Sequence, residues 1–453
     1  MPKKKTALTI EERLQQALVP AEEQPYEVPE NWVWVRLGDV NKYISKSVNP
    51  ISEPDKIFEL YSVPSMVDNY PEIIAGSDIG SSKQSVCKKD VLLCKINPRI
   101  NRVWKVSQFT DNELIASSEW IIIRNNHIDA NYLMYCFQSK YFREFMLSNV
   151  SGVGGSLMRA QPKYVQTYPI PLPPLSEQQR IVERIEELFA KLDEAKERLQ
   201  EVADSFAVRK AAILHKAFTG ELTKQWRREN GVSDESWEEK TIGEICSSLK
   251  YGTSKKSSDD GEVVVLRMGN LQNGEIDWSN LAYTSDEEDI KKYLLKSGDV
   301  LFNRTNSPEL VGKTSIYRGE MPAIYAGYLI KLDYEKNIVV GDYLNYYLNS
   351  SKAKEYYMQV KTDGVSQSNI NAKKIGEFEI PLPTLPEQHE IVRLIDDLLA
   401  RERAAQQAAE QALASIDLMK KSILARAFRG ELGTNKASEA SALELLRQVL
   451  AEN

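Results

Sequence analysis

One stretch in the first half of the chain combines side chains that suit contacts with nucleic-acid bases and phosphates. The sequence KINPRINRVWK, residues 95–105, alternates basic and amide side chains. Arginine and asparagine pair bidentately with the edges of guanine and adenine, and lysine suits phosphate oxygens. These residue types predict a DNA-contacting loop. Its candidate residues are Lys95, Asn97, Arg99, Asn101, Arg102 and Lys105.

Three polar, basic stretches in the second half of the chain have the same character. They are YGTSKKSS (251–258), NRTNSPELVGK (303–313) and DGVSQSNINAKK (363–374). For any single residue the simpler interpretation is a solvated loop, but the set as a whole favours DNA contact. The candidates in this half are Lys255, Lys256, Arg304, Asn306, Gln367, Asn369 and Lys373.

Sequence motifs for catalysis and for metal or cofactor binding are absent. VGKTS at 311–315 resembles the end of a P-loop, but the position that must be glycine is Ser307. The four cysteines form no C-x-x-C pair and there are three histidines, which argues against zinc and against a disulfide framework. Hydrolase and zinc-protease motifs are missing, as are the Asn-Pro-Pro-aromatic and Gly-rich loops of an amino-methyltransferase. We therefore expect no active site, metal or cofactor on this chain.

Charge is distributed unevenly along the chain. The formal net charge is −7, whereas strong nucleic-acid binders usually carry a basic domain. Residues 32–169 hold 16 Lys+Arg against 13 Asp+Glu, a net of +3, and residues 237–379 hold 18 against 22, a net of −4. Either the basic face of the second region is local, or a partner supplies much of the phosphate contact there.

The sequence also bears on the cellular compartment. No apolar run approaches the roughly 18 residues that would indicate a membrane span. The basic N-terminus lacks the apolar stretch of a secretory signal. With cysteines that suggest no disulfide framework, we expect a reduced, cytoplasmic protein without a membrane partner.

The dominant feature of the sequence is a repeat. IPLPPLSEQQRIV begins at Ile170 and IPLPTLPEQHEIV at Ile380, while RKAAILHKAFTGEL begins at Arg209 and MKKSILARAFRGEL at Met419. Both pairs are 210 residues apart without insertion or deletion, so the length between them is constrained. Looser upstream pairs, such as KKDVLLCKINP (88–98) and SGDVLFNRTNS (297–307), give the order A–B–A′–B′.

The B segments have the apolar spacing of long helices. In the first, a heptad seam runs from Ile185 to Phe206, and a helix over 176–219 would be about 60 Å long. Gly220 is placed to end it. In the second, the seam is alanine-rich and contains Glu402. We predict that the two helices pack on each other as a coiled coil; the alternative is two separate helices, each packed on its own A domain.

The A segments mix strand-like runs, such as DVLLCKI and DVLFNR, with shorter helices. The predicted fold is α+β, with two similar α/β-type domains separated by two long antiparallel coiled-coil helices, pseudo-two-fold. The predicted divisions are an N-terminal tail that closes the pseudo-symmetric ring (1–31), a first domain (32–169), a first spacer (170–231), a second domain (232–379), a second spacer (380–432) and a C-terminal tail (433–453).

This pattern resembles the specificity subunits of type I restriction–modification systems. The resemblance covers nearly the whole chain. It rests on the mark P-L-P-x-L-x-E-Q, which occurs behind both domains, and on AFTGEL and AFRGEL, which close the spacers. It implies that the domains are target recognition domains, each reading one half of a bipartite, asymmetric sequence in double-stranded DNA. It also implies two modification subunits, which methylate adenine with S-adenosylmethionine, and up to two restriction subunits, which use ATP and Mg.

The resemblance further implies that the spacers set the gap of unread base pairs and dock the modification subunits. Two rival interpretations stay open, a coiled-coil scaffold that binds only proteins and a stand-alone modification or nuclease enzyme. DNA binding with the partners present separates the first, and an activity assay of the chain alone the second. The spacer residues expected to serve docking are Glu177, Gln178, Ile181, Ile185, Leu188, Leu192, Leu199, Phe206, Phe218, Glu387, Gln388, Ile391, Ile395, Leu398, Ile416 and Phe428.

Overall fold

The computed structural model describes residues 8–151, 158–365 and 367–452. The chain divides into two compact units: unit 1 is Met1–Arg198 with Gln411–Asn453, and unit 2 is Leu199–Glu410. Both units contain the same parts. Each has one mixed domain, the start of the spacer helix that follows this domain, and the end of the other spacer helix. This shared composition is what the A–B–A′–B′ repeat predicts.

The first domain is built around a five-stranded sheet in the order β2-β5-β8-β3-β4, in which β3 and β8 run parallel. A second sheet, β7-β6-β9, is antiparallel and its central strand is fully buried, as the apolar run VLLC predicts. The helices are α1 (Ile10–Ala17), α2 (Leu37–Val40), α3 (Ala130–Gln138), α4 (Lys140–Ser148) and α5 (Pro162–Val165). The strands are β1 (Val33–Arg36), β2 (Ser47–Val48), β3 (Ile57–Tyr61), β4 (Glu72–Ala75), β5 (Lys83–Ser85), β6 (Val91–Cys94), β7 (Val103–Lys105), β8 (Glu113–Ala116), β9 (Trp120–Ile123), β10 (Val150–Ser151), β11 (Arg159–Ala160) and β12 (Pro169–Leu172).

The first spacer contains three helices, α6 (Leu175–Asp204), α7 (Phe206–Phe218) and α8 (Lys224–Asn230). The single helix predicted over 176–219 is therefore wrong at one residue, because Ser205 separates α6 from α7. The Ser205 hydroxyl donates to the carbonyls of Glu201, at 2.6 Å, and Val202, at 3.2 Å. Such back-bonding by serine competes with the backbone and bends or interrupts a helix.

The second domain repeats this plan with a four-stranded sheet β14-β23-β19-β21 and a three-stranded sheet β18-β15-β22. The helices are α9 (Ile242–Ile245), α10 (Glu287–Tyr293), α11 (Gly341–Leu348), α12 (Ser351–Val360) and α13 (Ala372–Gly376). The strands are β13 (Glu238–Thr241), β14 (Cys246–Tyr251), β15 (Val263–Leu266), β16 (Leu271–Gln272), β17 (Glu275–Ile276), β18 (Tyr283–Thr284), β19 (Val300–Asn303), β20 (Thr305–Asn306), β21 (Thr314–Ile316), β22 (Ala323–Tyr325), β23 (Leu329–Tyr334), β24 (Thr362–Asp363), β25 (Ser368–Asn369) and β26 (Glu379–Leu382).

The first and last strands of each domain pair with each other. Strand β1 runs antiparallel to β12, and β13 runs antiparallel to β26 in the same way. The proline-rich segments that begin the two spacers therefore form the last strand of each domain, and the long helix follows. Proline lacks an amide donor and is tolerated in such two-stranded edges.

The second spacer forms one helix, α14 (Leu385–Ala427), and α15 (Ala442–Ala451) follows it. In unit 1, Ile181 and Ile185 of α6 share a core with Leu424 of α14. In unit 2, Leu214 of α7 shares a core with Ile395 of α14. The start of one helix meets the end of the other in both units, so the predicted antiparallel packing of the two spacers is confirmed.

The predicted seam of the second spacer departs from the buried face of the helix near Leu398. Leu399 is 2% exposed, whereas the predicted Leu398 is only half-buried. Glu402, the charge expected within the seam, forms an ion pair with Arg209 of α7. Ala409 and Ile416 are buried. The buried leucine lies one residue further along than predicted because an α-helix, with 3.6 residues per turn, drifts against a seven-residue repeat.

The first and last described helices of the chain meet within unit 1. Helix α1 packs against α15, and the Arg13 guanidinium donates to the Leu450 carbonyl at 3.3 Å. Asn31 accepts a hydrogen bond from the Ala442 amide at 2.9 Å. The tail of residues 8–31 is therefore part of the fold of unit 1. In the described part of the chain, no helix is long and apolar enough to cross a membrane.

Candidate nucleic-acid interface and spacer motifs

The candidate loop of the first domain is the connection between β6 and β7. Asn97 and Asn101 flank a short 3-10 turn, Pro98–Ile100, and both have positive φ, at 46° and 52°. Asparagine tolerates this left-handed conformation better than most residues. The asparagines that were predicted as base readers therefore also shape the loop.

Asn97 and Arg102 come together at a concave surface of about 510 Å³. Lys83 of β5, Ser117 and Glu119 are among the other residues that line this surface. Among the described residues, the polar contact of the Arg102 guanidinium is the Cys94 sulfur, at 4.0 Å. Because that contact is weak, the arginine is available to a ligand that enters the concavity.

Other candidates in this loop bond to the protein itself. Lys95 Nζ donates to the Ser118 carbonyl at 2.7 Å, and Lys105 Nζ donates to Asn131 Oδ1 at 2.6 Å. Asn101 Nδ2 donates to the carbonyl of Gln138, at the end of α3, at 3.1 Å. These contacts hold the hairpin against the domain. Arg99 lies at the exposed tip of the turn.

Two candidates of the second domain, Arg304 and Asn369, contact each other. The Arg304 guanidinium lies 4.8 Å from the centre of the Tyr251 ring and donates to Asn369 Oδ1 at 3.2 Å. Asn369 Nδ2 in turn donates to Thr305 Oγ1 at 2.8 Å. Strands β20 and β25 pair so that Asn306 lies opposite Ser368. Stacking and hydrogen bonding fix the orientation of the arginine before any ligand arrives.

The lysines of the second domain differ in their surroundings. Lys255 Nζ lies 2.7 Å from Asp286, 3.7 Å from Asp289 and 3.9 Å from Glu288, so its charge is already balanced. The hydrogen bond with Asp286 raises the pKa of Lys255. Lys373 has a side chain that is 85% exposed and lies 4.0 Å from Glu377. Lys256 and Gln367 are exposed.

The polar cluster of the first domain, around Asn97 and Arg102, and that of the second domain, around Arg304 and Asn369, occupy equivalent places in the two domains. Ile96 bridges to Arg159 in the first domain, as Thr305 pairs with Asn369 in the second. Arg159 was missed by the sequence reasoning, although the spacing of 210 residues equates it with Asn369. Its guanidinium lies 3.3 Å from Glu119, at the rim of the first concavity.

The glutamate of the first P-L-P-x-L-x-E-Q mark is buried inside unit 1. Glu177 is 0% exposed and accepts hydrogen bonds from Trp32 Nε1 and Asn435 Nδ2, both at 2.8 Å. Burial raises the pKa of Glu177, and the two hydrogen bonds act in the opposite direction. Asn435 follows the AFRGEL word of the other spacer. The start of one spacer therefore binds the end of the other.

Unit 2 contains the equivalent contact with different partners. Glu387 is 0% exposed and accepts hydrogen bonds from Thr223 Oγ1 and from Arg227, both at 2.7 Å. Both donors follow the AFTGEL word of the first spacer. In both units, the glutamate of the opening motif of one spacer therefore binds residues that follow the closing motif of the other spacer.

The glutamine and the phenylalanine of the repeated words also serve the fold. Gln178 accepts from the Asp129 amide at 2.8 Å, and Gln388 accepts from the Val340 amide at 2.8 Å. Phe428 packs against the Tyr132 ring at 5.4 Å, and Phe218 packs against the Tyr343 ring at 5.3 Å. The hydroxyls of Tyr132 and Tyr343 donate to the carbonyls of Pro171, at 2.8 Å, and Pro381, at 2.6 Å.

Each closing word contains a glycine with positive φ, Gly220 at +75° and Gly430 at +73°. A Cβ on Gly430 would lie 2.4 Å from a side-chain carbon of Pro29. Gly220 has the Arg227 guanidinium and the Trp237 ring within 3.5 Å of such a Cβ. Both positions thus combine a left-handed turn with close packing, which favours glycine.

The spacer residues predicted for docking fall into two groups. Several are buried, so their side chains offer little exposed surface: Glu177, Gln178, Ile181, Ile185, Glu387, Gln388, Ile391, Ile395, Ile416 and Phe428. The others are half-buried: Leu188, Leu192, Leu199, Phe206, Phe218 and Leu398. The most exposed large apolar residues of the spacers were not among them. They are Val208, 71% exposed, and Leu418, 64% exposed.

The duplicated domain, with the Glu-Gln pair buried in the first turn of its long helix, defines a chain built from two copies of one module. A family model described as the type I restriction modification DNA specificity domain matches residues 29–204 and 234–412. The chain therefore belongs to the type I restriction–modification specificity family, whose role is DNA target recognition, as the sequence resemblance predicts.

Individual relatives agree with this assignment. The StySPI specificity subunit of Salmonella potsdam is 28% identical over 338 residues, covering 72% of both chains. The EcoKI specificity subunit of Escherichia coli strain K12 is 28% identical over 339 residues, again covering 72% of both. The HsdS subunit from Thermoanaerobacter tengcongensis gives a TM-score of 0.68 at 23% identity, covering 90% of this chain and 99% of that one. The last similarity confirms the predicted fold class.

Proposed function

We propose that each domain of this chain reads one half of a bipartite, asymmetric DNA target, and that the chain has no active site of its own. The spacers set the unread gap and dock two modification subunits, and up to two restriction subunits join for cleavage. S-adenosylmethionine belongs to the modification subunits, and ATP and Mg belong to the restriction subunits.

The observation that supports half-site reading is the equivalence of the two polar clusters. Both lie where the segment after the central buried strand meets the short strand before α5 or α13. The first cluster has Lys95 and Arg159 where the second has Arg304 and Asn369. A common backbone with different side chains suits two domains that read different DNA half-site sequences.

The length of the spacers supports their role as a ruler. Helix α14 has 43 residues, which is about 65 Å at 1.5 Å per residue. A helix of this length could separate two DNA-reading domains by about one turn of DNA or more. The spacers keep the same length in both copies, as a fixed gap requires.

Docking of two identical partners is supported by matched exposed residues on the spacers. Val208 and Leu418 are 210 residues apart, so they occupy the same position in the two copies. Exposed apolar side chains on a helix are typical of protein interfaces. Two copies of one modification subunit would find an exposed apolar side chain at the equivalent position of each spacer.

The test is to map N6-methyladenine in cells that express this chain with its modification subunit and no other adenine methyltransferase. We expect one bipartite motif with a fixed gap and one methylated adenine in each half. Replacing residues 32–169 with the first domain of another family member should change one half of the motif and leave the gap unchanged.

Paired point substitutions sharpen this test. Arg102→Gln should relax one half-site and Arg304→Gln the other, each reducing discrimination by about 10- to 100-fold, as expected for one base-reading side chain. If either substitution relaxes both halves, the domains do not read independently. If an expressed and assembled complex gives no motif, the system is inactive or the chain is a scaffold without DNA readout.

A further inference from the structure

A second polar cavity lies within unit 2, where α7 packs against the second domain. Its volume is about 410 Å³, and its wall includes Lys210 of α7, Lys313 and Lys354 of α12. Among the described residues that line it, Glu309 is the only carboxylate. The cavity therefore has a clear excess of positive charge.

The neighbouring groups do not neutralise this charge. The pKa of Lys210 is lowered by burial and by the positive charges of Arg403 and Lys354. Lys313 Nζ donates to the neutral Gln272 amide oxygen at 3.0 Å. Glu402, beside Arg403 on α14, is already paired with Arg209. Three lysines that converge with one carboxylate, Glu309, leave an excess of positive charge that favours an anion.

In unit 1, the lysine at the position equivalent to Lys210 has its charge neutralised by a carboxylate. Lys420 is the equivalent of Lys210, 210 residues further along the chain. Its Nζ lies 2.6 Å from Asp193 and stacks over the Phe189 ring at 5.1 Å. The equivalent of Asp193 in unit 2 is Arg403. One unit thus has an ion pair where the other has two like charges beside a cavity.

The remaining wall of the cavity suits a phosphate group. Lysine binds phosphate as a compact charge with three donors. Ser351, the first residue of α12, lines the same cavity, and the N-terminus of a helix attracts anions. Leu214 and Tyr357, both buried, also line the cavity.

We propose that this cavity binds a phosphate group, supplied by the backbone of bound DNA or by free phosphate. With DNA as the source, the proposal rests on the proposed function; with free phosphate it does not. The segment that resembles a P-loop does not form one here, because the Gly312 amide donates to the Asn303 carbonyl at 2.9 Å.

The experiment uses the full chain assembled with its modification subunit and compares Lys210→Gln with the matched control Lys420→Gln. Thermal unfolding is followed in inorganic phosphate and in chloride at equal ionic strength. We expect phosphate at about ten times its dissociation constant to raise the melting temperature by about 2 °C or more. Lys210→Gln should remove this shift, and Lys420→Gln should keep it. Arg403→Asp, which restores the pairing of unit 1, should also remove it.

DNA binding at several salt concentrations then identifies the source of the phosphate. If DNA is the occupant, Lys210→Gln lowers the salt slope by about one and Lys420→Gln does not. If only free phosphate acts, the thermal shift is lost but the slope is unchanged. The proposal is overturned if the parent complex shows neither effect, or if the two variants behave alike. Failure to bind DNA at all, with the phosphate shift retained, would contradict the proposed function alone.

Discussion

The two units bury the same glutamate in two different ways. In unit 1, Glu177 accepts from the Trp32 indole and from Asn435, which are neutral donors. In unit 2, Glu387 accepts from Arg227, and the pair is almost fully buried, with side chains 0% and 7% exposed. The two units therefore share the position of this contact but differ in its chemistry. The glutamate is a carboxylate with neutral hydrogen-bond donors in unit 1 and a member of a buried ion pair in unit 2.

The tryptophans of the two units show the consequence of this change. Trp237 is the equivalent of Trp32, but within the described residues nothing accepts a hydrogen bond from its buried Nε1. The Glu387 Oε2 atom is likewise buried without a described donor. Arg227 lies over the Trp237 ring at 6.0 Å and takes the role that the indole has in unit 1. Duplicated modules thus preserve the position of a contact more strictly than its donors.

The largest effect should come from removing the charge of Glu387. Glu387→Gln keeps the shape but leaves the Arg227 guanidinium buried beside a neutral amide. Removing one partner of a buried pair costs on the order of 3–5 kcal/mol. Exposed Asp234, 2.8 Å from Arg227, offsets part of this cost. Urea unfolding combined with hydrogen exchange should show the loss in unit 2.

Glu177→Gln is the matched control. The amide oxygen can still accept from Trp32, and the substitution removes a buried charge whose pKa is raised by burial. We expect a change within about 1 kcal/mol, confined to unit 1. Equal losses for the two substitutions would show that the charge of Arg227 does not matter, and the contrast between the units would be wrong.

A smaller contrast is expected for the tryptophans. Trp32→Phe removes a hydrogen bond to a buried carboxylate, which should cost about 1.5–3 kcal/mol. Trp237→Phe removes an indole N–H that has no acceptor among the described residues, so its effect should be nearer zero. The free energy of unfolding of each variant, measured in urea, checks the order. A larger loss for Trp237→Phe would reveal an acceptor or a bound water at that indole.

The sequence predicted those parts of the fold that depend on local pattern. The two marks at equal spacing gave the duplicated modules, and the apolar periodicity gave the antiparallel spacers. The exchange of Leu398 for Leu399 and the break at Ser205 were missed, because both depend on fine helix geometry and on one hydroxyl. The burial of Glu177 was missed as well, since its partner Asn435 is distant in sequence and polar residues are normally expected at the surface.

The candidate DNA site was less predictable, because the availability of a side chain depends on distant neighbours. Lys255 was nominated for its charge, but Asp286 and Asp289, more than 30 residues away, already surround it. Lys105 and Asn101 were nominated for their type, and in the fold their side chains also bond to the start and the end of α3. Whether any nominated residue contacts DNA stays a prediction.

The smallest expected effect concerns the ion pairs between the spacer helices. Unit 2 pairs Arg209 with Glu402, and the equivalent positions in unit 1 are Met419 and Leu192. The double substitution Arg209→Met with Glu402→Leu makes unit 2 resemble unit 1 at this point. Partly exposed pairs contribute about 0–1 kcal/mol, so the free energy of unfolding should change by less than about 1 kcal/mol. The parent chain should lose this contribution in high salt, while the double variant should not.

If the variant instead loses several kcal/mol, the pair orients the two helices and cannot be replaced by apolar contact. That result would mean that the two copies of the spacer have diverged in how they hold their register, and not only in which residues they use.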